Sequence, residues 1–328
     1  MKRHARIIGT GLYAPERIMK NAEFSTILEE DIEEFVGGKL NILERRIMAE
    51  DESPATMAVQ AAQAALEKAG CQAQDLDLLI VATDTPETIS PATCSKVQHL
   101  LGAKNAGTFD VNCACAAFVT GVDIAAKYIS SDDQYEHILV VDTYGMTRFL
   151  DFHDRYTATI FADGAGAVVM QAGDQPGFLA SKLIADGSYH DFMGIYAGGA
   201  LNPITPERIE RGEHLVRFVK KFPEDTNATH WPILIKDILN RIGKTLSDID
   251  FVLFTQININ TIREVMDELG LPWEKTHTIM DHFGYTGSAC IPMALDEVAR
   301  SKRIKDGDLV LLVGSGGGYA MGAIALNW

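Results

Sequence analysis

Basic charge is what this 328-residue chain has least of: 29 lysines and arginines stand against 45 aspartates and glutamates, a formal charge of −16. Binding to nucleic acid needs a basic stripe that tracks phosphates, and the only basic clusters, Arg45-Arg46 and Lys220-Lys221, are short. A nucleic-acid partner is excluded on that ground. Cysteine is also sparse. Cys71, Cys94, Cys113, Cys115 and Cys290 are odd in number and scattered, and the start Met1-Lys2-Arg3-His4 leads into a strand-like run instead of an apolar signal segment. The expectation is a cytoplasmic protein without a disulfide framework. Long apolar runs are missing too: the best, Leu309 to Val313 and Ile138 to Val141, fall far short of the roughly 20 residues that span a bilayer. What the chain does have is 47% apolar residues, enough for a substantial core in one large or two medium domains.

Short β-rich runs alternate with helical patterns, which predicts an α/β fold, and the order of elements repeats. The amphipathic run Ala58 to Gly70 precedes Leu76 to Val81, as Ile233 to Gly243 precedes Ile249 to Phe254; Asp77 and Asp250 lie about 173 positions apart. Asp110 matches Asp281 at nearly that offset, Asp123 matches Asp296, Ile138 to Val141 matches Leu309 to Leu312, and Ile7 to Gly11 matches Leu179 onward. The competing reading is that any α/β chain alternates strand and helix. Four landmarks in order favour an internal duplication, with halves at 1–173 and 174–328 packed around a pseudo-twofold axis and their loops meeting in one crevice. Outside this register fall Leu12 to Arg46, expected as a helical cap or entrance element, Thr143 to Thr157, a loop suited to a dimer contact, and Tyr189 to Pro232, an insertion expected to cover a substrate channel.

The chemistry concentrates at Phe109-Asp110-Val111-Asn112-Cys113-Ala114-Cys115-Ala116-Ala117-Phe118, a strand that delivers Cys115 to the first turn of a helix. Unpaired N–H groups and the helix dipole favour negative charge there, so Cys115 is the candidate nucleophile as a thiolate. Cys113 has no accompanying Cys/His cluster and reads as a buried small residue; no metal site is expected. Gly314 to Gly318 follows one strand-like run and leads into another, with no helix to cradle phosphate, which favours a turn whose backbone approaches a ligand closely.

These residues resemble the thiolase superfamily and, within it, the β-ketoacyl-acyl-carrier-protein synthase III group. The similarity runs end to end through Ile7 to Gly11, Glu44 to Ile47, Cys115 to Phe118, Phe161 to Ala167, Asp281 to Ser288, Ala294 to Glu297 and Gly316 to Tyr319. It implies a five-layered αβαβα fold, a homodimer and a tunnel that admits the pantetheine arm of coenzyme A or an acyl carrier protein. It implies acylation of Cys115, with the oxyanion held by the N–H groups of Cys115 and Gly317. Coenzyme A thioester would be a substrate, with no permanently bound cofactor.

Against the group's pattern, Thr255 stands where a histidine is expected and Tyr285 where an asparagine is expected, while Asn258 matches the end of the histidine motif. Loss of one oxyanion-type donor costs on the order of 3–4 kcal/mol, so decarboxylative condensation is in doubt while acylation of Cys115 is less affected. His282 lies three positions before Tyr285 and is expected to face elsewhere. Carrier-docking positions read Asn260, Asp267 and Glu268, leaving Arg263 as the basic residue of that helix; this favours coenzyme A thioesters or an unusual carrier. At the tunnel mouth Phe35 and Arg155 match residues that sandwich adenine, Lys39 replaces an arginine, and Ser90 stands where a phenylalanine often narrows the acyl pocket at the dimer contact. The expected function is an acyltransferase of specialised metabolism that passes the acyl group to a non-malonyl acceptor or condenses it by an unusual base. The alternatives are a catalytically degenerate partner subunit and an ordinary fatty-acid initiating enzyme.

Overall fold

The computed structural model describes residues 3–328; Met1 and Lys2, read above as part of a basic start, lie outside the described residues. The chain opens with β1 (His4–Tyr13), then a ribbon of β2 (Arg17–Lys20) and β3 (Glu44–Ile47) enclosing α1 (Asn21–Leu28) and a π-helical turn at Glu33–Lys39. There follow α2 (Pro54–Ala69), β4 (Leu78–Ala82), α3 (Thr93–Leu101), β5 (Gly107–Val111), α4 (Ala117–Ser131), β6 (His137–Gly145) and β7 (Asp163–Gly173). The rest is β8 (Phe178–Ala185), the short ribbon β9 (Met193–Gly194) and β10 (Arg217–Phe218) around α5 (Pro206–Glu210), α6 (Thr226–Ile242), β11 (Phe251–Phe254), α7 (Ile259–Glu268), α8 (Met280–Phe283), α9 (Cys290–Arg300), β12 (Leu309–Gly316) and β13 (Ala320–Asn327).

Two sheets carry the architecture. The first has the order β1-β7-β6-β4-β5 and the second the order β8-β13-β12-β11, with the same succession of antiparallel and parallel pairs. Asp77 and Asp250 do one job in both. The Asp77 carboxylate accepts from the His137 N–H at 2.9 Å, and that of Asp250 from the Leu309 N–H at 2.9 Å, each tying a parallel strand to its neighbour.

Helices α4 and α9 lie between the sheets, α2 and α3 cover the first, and α6 and α7 cover the second, giving five αβαβα layers. The middle layer reads apolar on nearly all sides, with Phe118, Val119, Val122, Ala125 and Ile129 of α4 buried, as a helix enclosed by sheets must be. The alanine run of α2 has a different cause. A Cβ on Gly11 of β1 would sit 2.1 Å from the Ala61 carbonyl oxygen, so the strand lies directly on the helix backbone and both surfaces must be small.

Several expectations are corrected. Leu12 to Arg46 is a ribbon with two short helical turns, not a helical cap. Thr143 to Gly145 belongs to β6, its ladder extending to Asp163. Helix α6 starts at Thr226, seven residues before Ile233, because Pro232 sits inside the helix, where neighbouring Trp231 stacks on Phe254 at 5.0 Å between ring centroids. Asp110 and Asp281 are not equivalent. Asp110 lies on β5 and accepts from the Thr93 and Cys94 N–H groups at 2.8 Å, capping α3, whereas Asp281 lies in α8 beside a stretch that forms no fifth strand.

Candidate active site

Parallel strands β4 and β5 end side by side, Ala82 opposite Val111, and β6 flanks β4 with Asp142 opposite Ala82. Side chains just beyond these strand ends therefore converge on one edge of the sheet, where α/β proteins build their sites. Beyond β5 the chain turns sharply. Asn112 Oδ1 accepts from the Ala114 N–H at 3.0 Å, Ala114 takes a left-handed φ of 46°, and the Ala116 and Ala117 N–H groups close back on Cys113 and Ala114 at 3.1 and 3.0 Å. This turn sets Cys115 just ahead of α4, whose cap is Ala116, not within its first turn. Cys113 is half-buried, which corrects its reading as a buried residue.

Cys115 is 7% exposed and lies on the wall of a cavity of about 430 Å³ shared with Asp84, Met146, Phe161, Thr255, Tyr285 and Gly317. Burial pushes its thiol well above the ordinary value; the nearby Asp84 carboxylate adds to this, and the Tyr285 hydroxyl works against it. The expected resting thiolate is thereby corrected. Desolvation among apolar side chains outweighs the helix terminus, and the group is a neutral thiol that needs a proton acceptor to attack.

The glycine-rich hairpin between β12 and β13 packs on the cysteine turn through Gly316, where a Cβ would lie 2.5 Å from the Cys115 nitrogen. Gly317 lines the cavity with open space at its Cβ position. Thr255 also lines it, but its Oγ1 accepts from the Ser315 N–H at 2.9 Å and faces the Ser315 carbonyl at 3.4 Å, so this hydroxyl fastens β11 to β12. Tyr285 is buried against Phe161, ring centroids 5.7 Å apart, and its backbone pairs with Ile160 and Ala162. Burial holds its phenol well above the ordinary value.

The mouth residues form a separate group off the cavity wall. The Arg155 guanidinium lies 5.6 Å from the Phe35 ring centre and pairs with Glu30, so it covers the Phe35 face directly. The Lys39 carbonyl accepts from Asn260 Nδ2 at 2.8 Å, and Asn258 Oδ1 accepts from the Asn260 N–H at 2.9 Å, making Asn258 the cap of α7. Ser90 is exposed and does not line the cavity. His282 bonds Asp281 at 2.8 Å and Glu297 at 3.3 Å, away from the cavity. The insertion after β8 does cover the cavity, through Met193, Ile195, Val216, Phe222 and Thr226.

Sequence reasoning passed over Asp84 and Asp142. Asp142 is buried, with Oδ1 accepting from Ser288 Oγ at 2.7 Å; burial pushes its carboxyl well above the ordinary value. Asp84 stands two residues past β4, and the one signal for it was a charged residue so soon after a wholly buried parallel strand.

Two like-ordered sheets around paired central helices, with a cysteine turn under a glycine hairpin, define a thiolase-fold protein. Residues 109–187 match the family model for 3-oxoacyl-[acyl-carrier-protein] synthase III, and residues 239–328 match that for its C-terminal region. The chain is 37% identical to β-ketoacyl-[acyl-carrier-protein] synthase III of Syntrophomonas wolfei, over 98% of this chain and 97% of that one. It is similar in structure to the synthase III of Aquifex aeolicus, with a TM-score of 0.88 and 30% identity over 99% and 100% of the two chains. The priming β-ketosynthase of the R1128 polyketide pathway is similar too, with a TM-score of 0.88 and 30% identity over 99% and 96%. The chain belongs to the 3-oxoacyl-[acyl-carrier-protein] synthase III family of condensing, acyl-transferring enzymes.

Proposed function

We propose that this protein takes an acyl group from a thioester onto Cys115 and passes it to an acceptor other than malonyl carrier, in specialised metabolism. What supports this is that the cysteine turn, the glycine hairpin, Thr255 and Tyr285 line one cavity, with Thr255 and Tyr285 standing where the resemblance expects the decarboxylation histidine and asparagine. Cys115 is the nucleophile, and the N–H groups of Cys115 and Gly317 hold the oxyanion; such donors act best when fixed before the reaction. Thr255, fastened to Ser315, and Tyr285, beside the sulfur, shape the site in place of a histidine and an asparagine. Coenzyme A thioester is the donor we favour over an acyl carrier, its adenine end meeting Phe35, Lys39, Arg155 and the α7 cap Asn258. The working unit is a cytoplasmic homodimer, each chain built of halves 1–173 and 174–328, and no permanently bound cofactor is needed.

Incubation of the pure protein with a panel of acyl-coenzyme A thioesters, read by intact mass beside Cys115→Ala, tests this. A mass gain confined to the wild type is expected. No gain with any thioester overturns it. The raised thiol and the engaged Thr255 hydroxyl favour one second reading, a degenerate subunit that supports a partner enzyme. Co-purification with an intact homologue, in place of an active homodimer, would select that reading. Release of labelled carbon dioxide from malonyl carrier would select ordinary fatty-acid initiation.

A further inference from the structure

The reaction just proposed has no proton acceptor in its residue set: Cys115 is a neutral thiol, the family histidine is Thr255, and the Thr255 hydroxyl is fastened to Ser315. The cavity nevertheless holds a carboxylate. Asp84 lines it together with Cys115, and its Oδ1 is sealed from solvent with no hydrogen-bond partner among the described residues. An unpaired buried carboxylate oxygen is costly and is seldom retained without use.

Its placement is fixed from both sides. The Thr83 N–H extends the β4–β5 ladder to the Val111 carbonyl at 3.0 Å, the Thr85 N–H bonds Thr83 Oγ1 at 3.0 Å, and Thr85 Oγ1 accepts from the Gly145 N–H at 2.9 Å. Thr83 and Thr85 are both buried, so the backbone presenting Asp84 is held by groups that do not touch the cavity chemistry. Sheet register then sets Asp84 between the end of β6, which carries Asp142, and the turn after β5, which carries Cys115.

We infer that Asp84 is the general base of the Cys115 site, a catalytic residue that the family's histidine and asparagine do not provide. The inference rests on the acyl-transfer reading above. In the step it describes, an Asp84 oxygen accepts the Sγ proton as Sγ bonds to the thioester carbonyl carbon. Collapse of the tetrahedral intermediate breaks the carbon–sulfur bond to the departing thiolate, which takes the proton back from Asp84. Acyl-Cys115, a free thiol and an unchanged carboxylate result.

The titratable groups that feel the Asp84 charge are Cys115, Asp142 and Tyr144, and among the described residues no cation acts on Asp84. Burial raises the Asp84 carboxyl to about 6, and it pushes the Asp142 carboxyl well above the ordinary carboxylate range. A carboxyl near 6 is largely ionised at neutral pH, and its basicity is matched to the task better than that of an exposed carboxylate.

The test is Asp84→Asn, which keeps the shape and removes the base, with Asp84→Glu as the conservative variant. Acylation of Cys115 by the donor found in the mass panel is expected to fall about 100-fold or more in D84N, with partial recovery in D84E, at an unchanged melting temperature. The second readout is alkylation of Cys115 by iodoacetamide against pH, with Cys115→Ala as the blank for the other thiols. The wild type should show a step near pH 6 that D84N lacks. Equal acylation rates in wild type and D84N overturn the proposal. If no thioester labels the wild type, the acyl-transfer reading fails by itself, and the alkylation profiles decide the coupling of Asp84 to Cys115: matching profiles overturn it.

Discussion

Gly316 and Gly317 are neighbours of identical chemistry, yet the fold makes opposite demands on them. A methyl group on Gly316 would meet the Cys115 nitrogen at 2.5 Å and the Cys113 oxygen at 2.7 Å, both backbone atoms that cannot swing aside. A methyl group on Gly317 would meet nothing within 4 Å. Gly316→Ala should therefore lower stability by about 1–3 kcal/mol through overpacking, whereas Gly317→Ala should stay within about 0.5 kcal/mol of wild type. Urea denaturation midpoints check this; a Gly316→Ala midpoint equal to wild type would mean that the cysteine turn yields freely. Cys115 was legible in the sequence because a strand end, a small-residue turn and an apolar helix surround it. Asp84 was not, because Thr83-Asp84-Thr85 is no motif, and the absence of a partner for its oxygen is a fact of three dimensions.

At the scale of elements, α8 and α9 are joined by a charged cluster outside the cavity. His277 Nε2 bonds Glu297 at 2.8 Å, while His282 bonds Asp281 and the other Glu297 oxygen. The hydrogen bonds to Asp281 and Glu297 raise His282 from 6.5 to about 9. Burial works to raise Glu297, but the bonds from His277 and His282 prevail and bring it from 4.5 down to about 2. His282 thus adds stability that is complete below pH 6.5 and is lost as pH rises through about 9, and Glu297 adds stability that is complete above pH 4.5 and is lost as pH falls through about 2. In His282→Gln the melting temperature should fall most between pH 4.5 and 6.5, and the gap to wild type should close above pH 9. A gap that is constant from pH 6 to pH 10 would show that the ring acts by packing alone. Such cross-chain pairings explain what sequence reading missed among the elements. Asp281 was aligned with Asp110 by spacing, but only tertiary contact shows that one carboxylate caps a helix and the other holds a histidine. The helical run was read from Ile233, just after Pro232; a proline removes a helical hydrogen bond, but burial of Trp231, Leu234 and Ile235 holds the helix together across it.

For the molecule as a whole, the excess of acid and where it lies bear on the proposed donor. The repeat was legible because Asp77 and Asp250 keep the same strand junction in both sheets, and the acidic balance was legible from composition; which face carries it was not. Helix α7 turns Glu264, Asp267 and Glu268 outward beside Arg263, with Glu268 paired to Lys236 at 3.1 Å, while Arg45 of the supposed basic cluster is wholly buried, bonding the Thr159 carbonyl. An acidic carrier protein would approach like charge there, which slows encounter at low ionic strength and is screened over about 10 Å at 0.1 M salt. Acyl-Cys115 formation should therefore be faster from an acyl-coenzyme A than from the same acyl group on an acidic carrier. Raising salt from about 0.02 to about 0.5 M should speed the carrier reaction. Glu264→Lys with Asp267→Lys should speed the carrier reaction at low salt and leave the coenzyme A rate unchanged, as read by the rate of mass gain. A carrier reaction that slows with salt and with the charge-reversed helix would instead mean that the carrier docks on a basic surface elsewhere on the chain, and coenzyme A would lose its standing as the favoured donor.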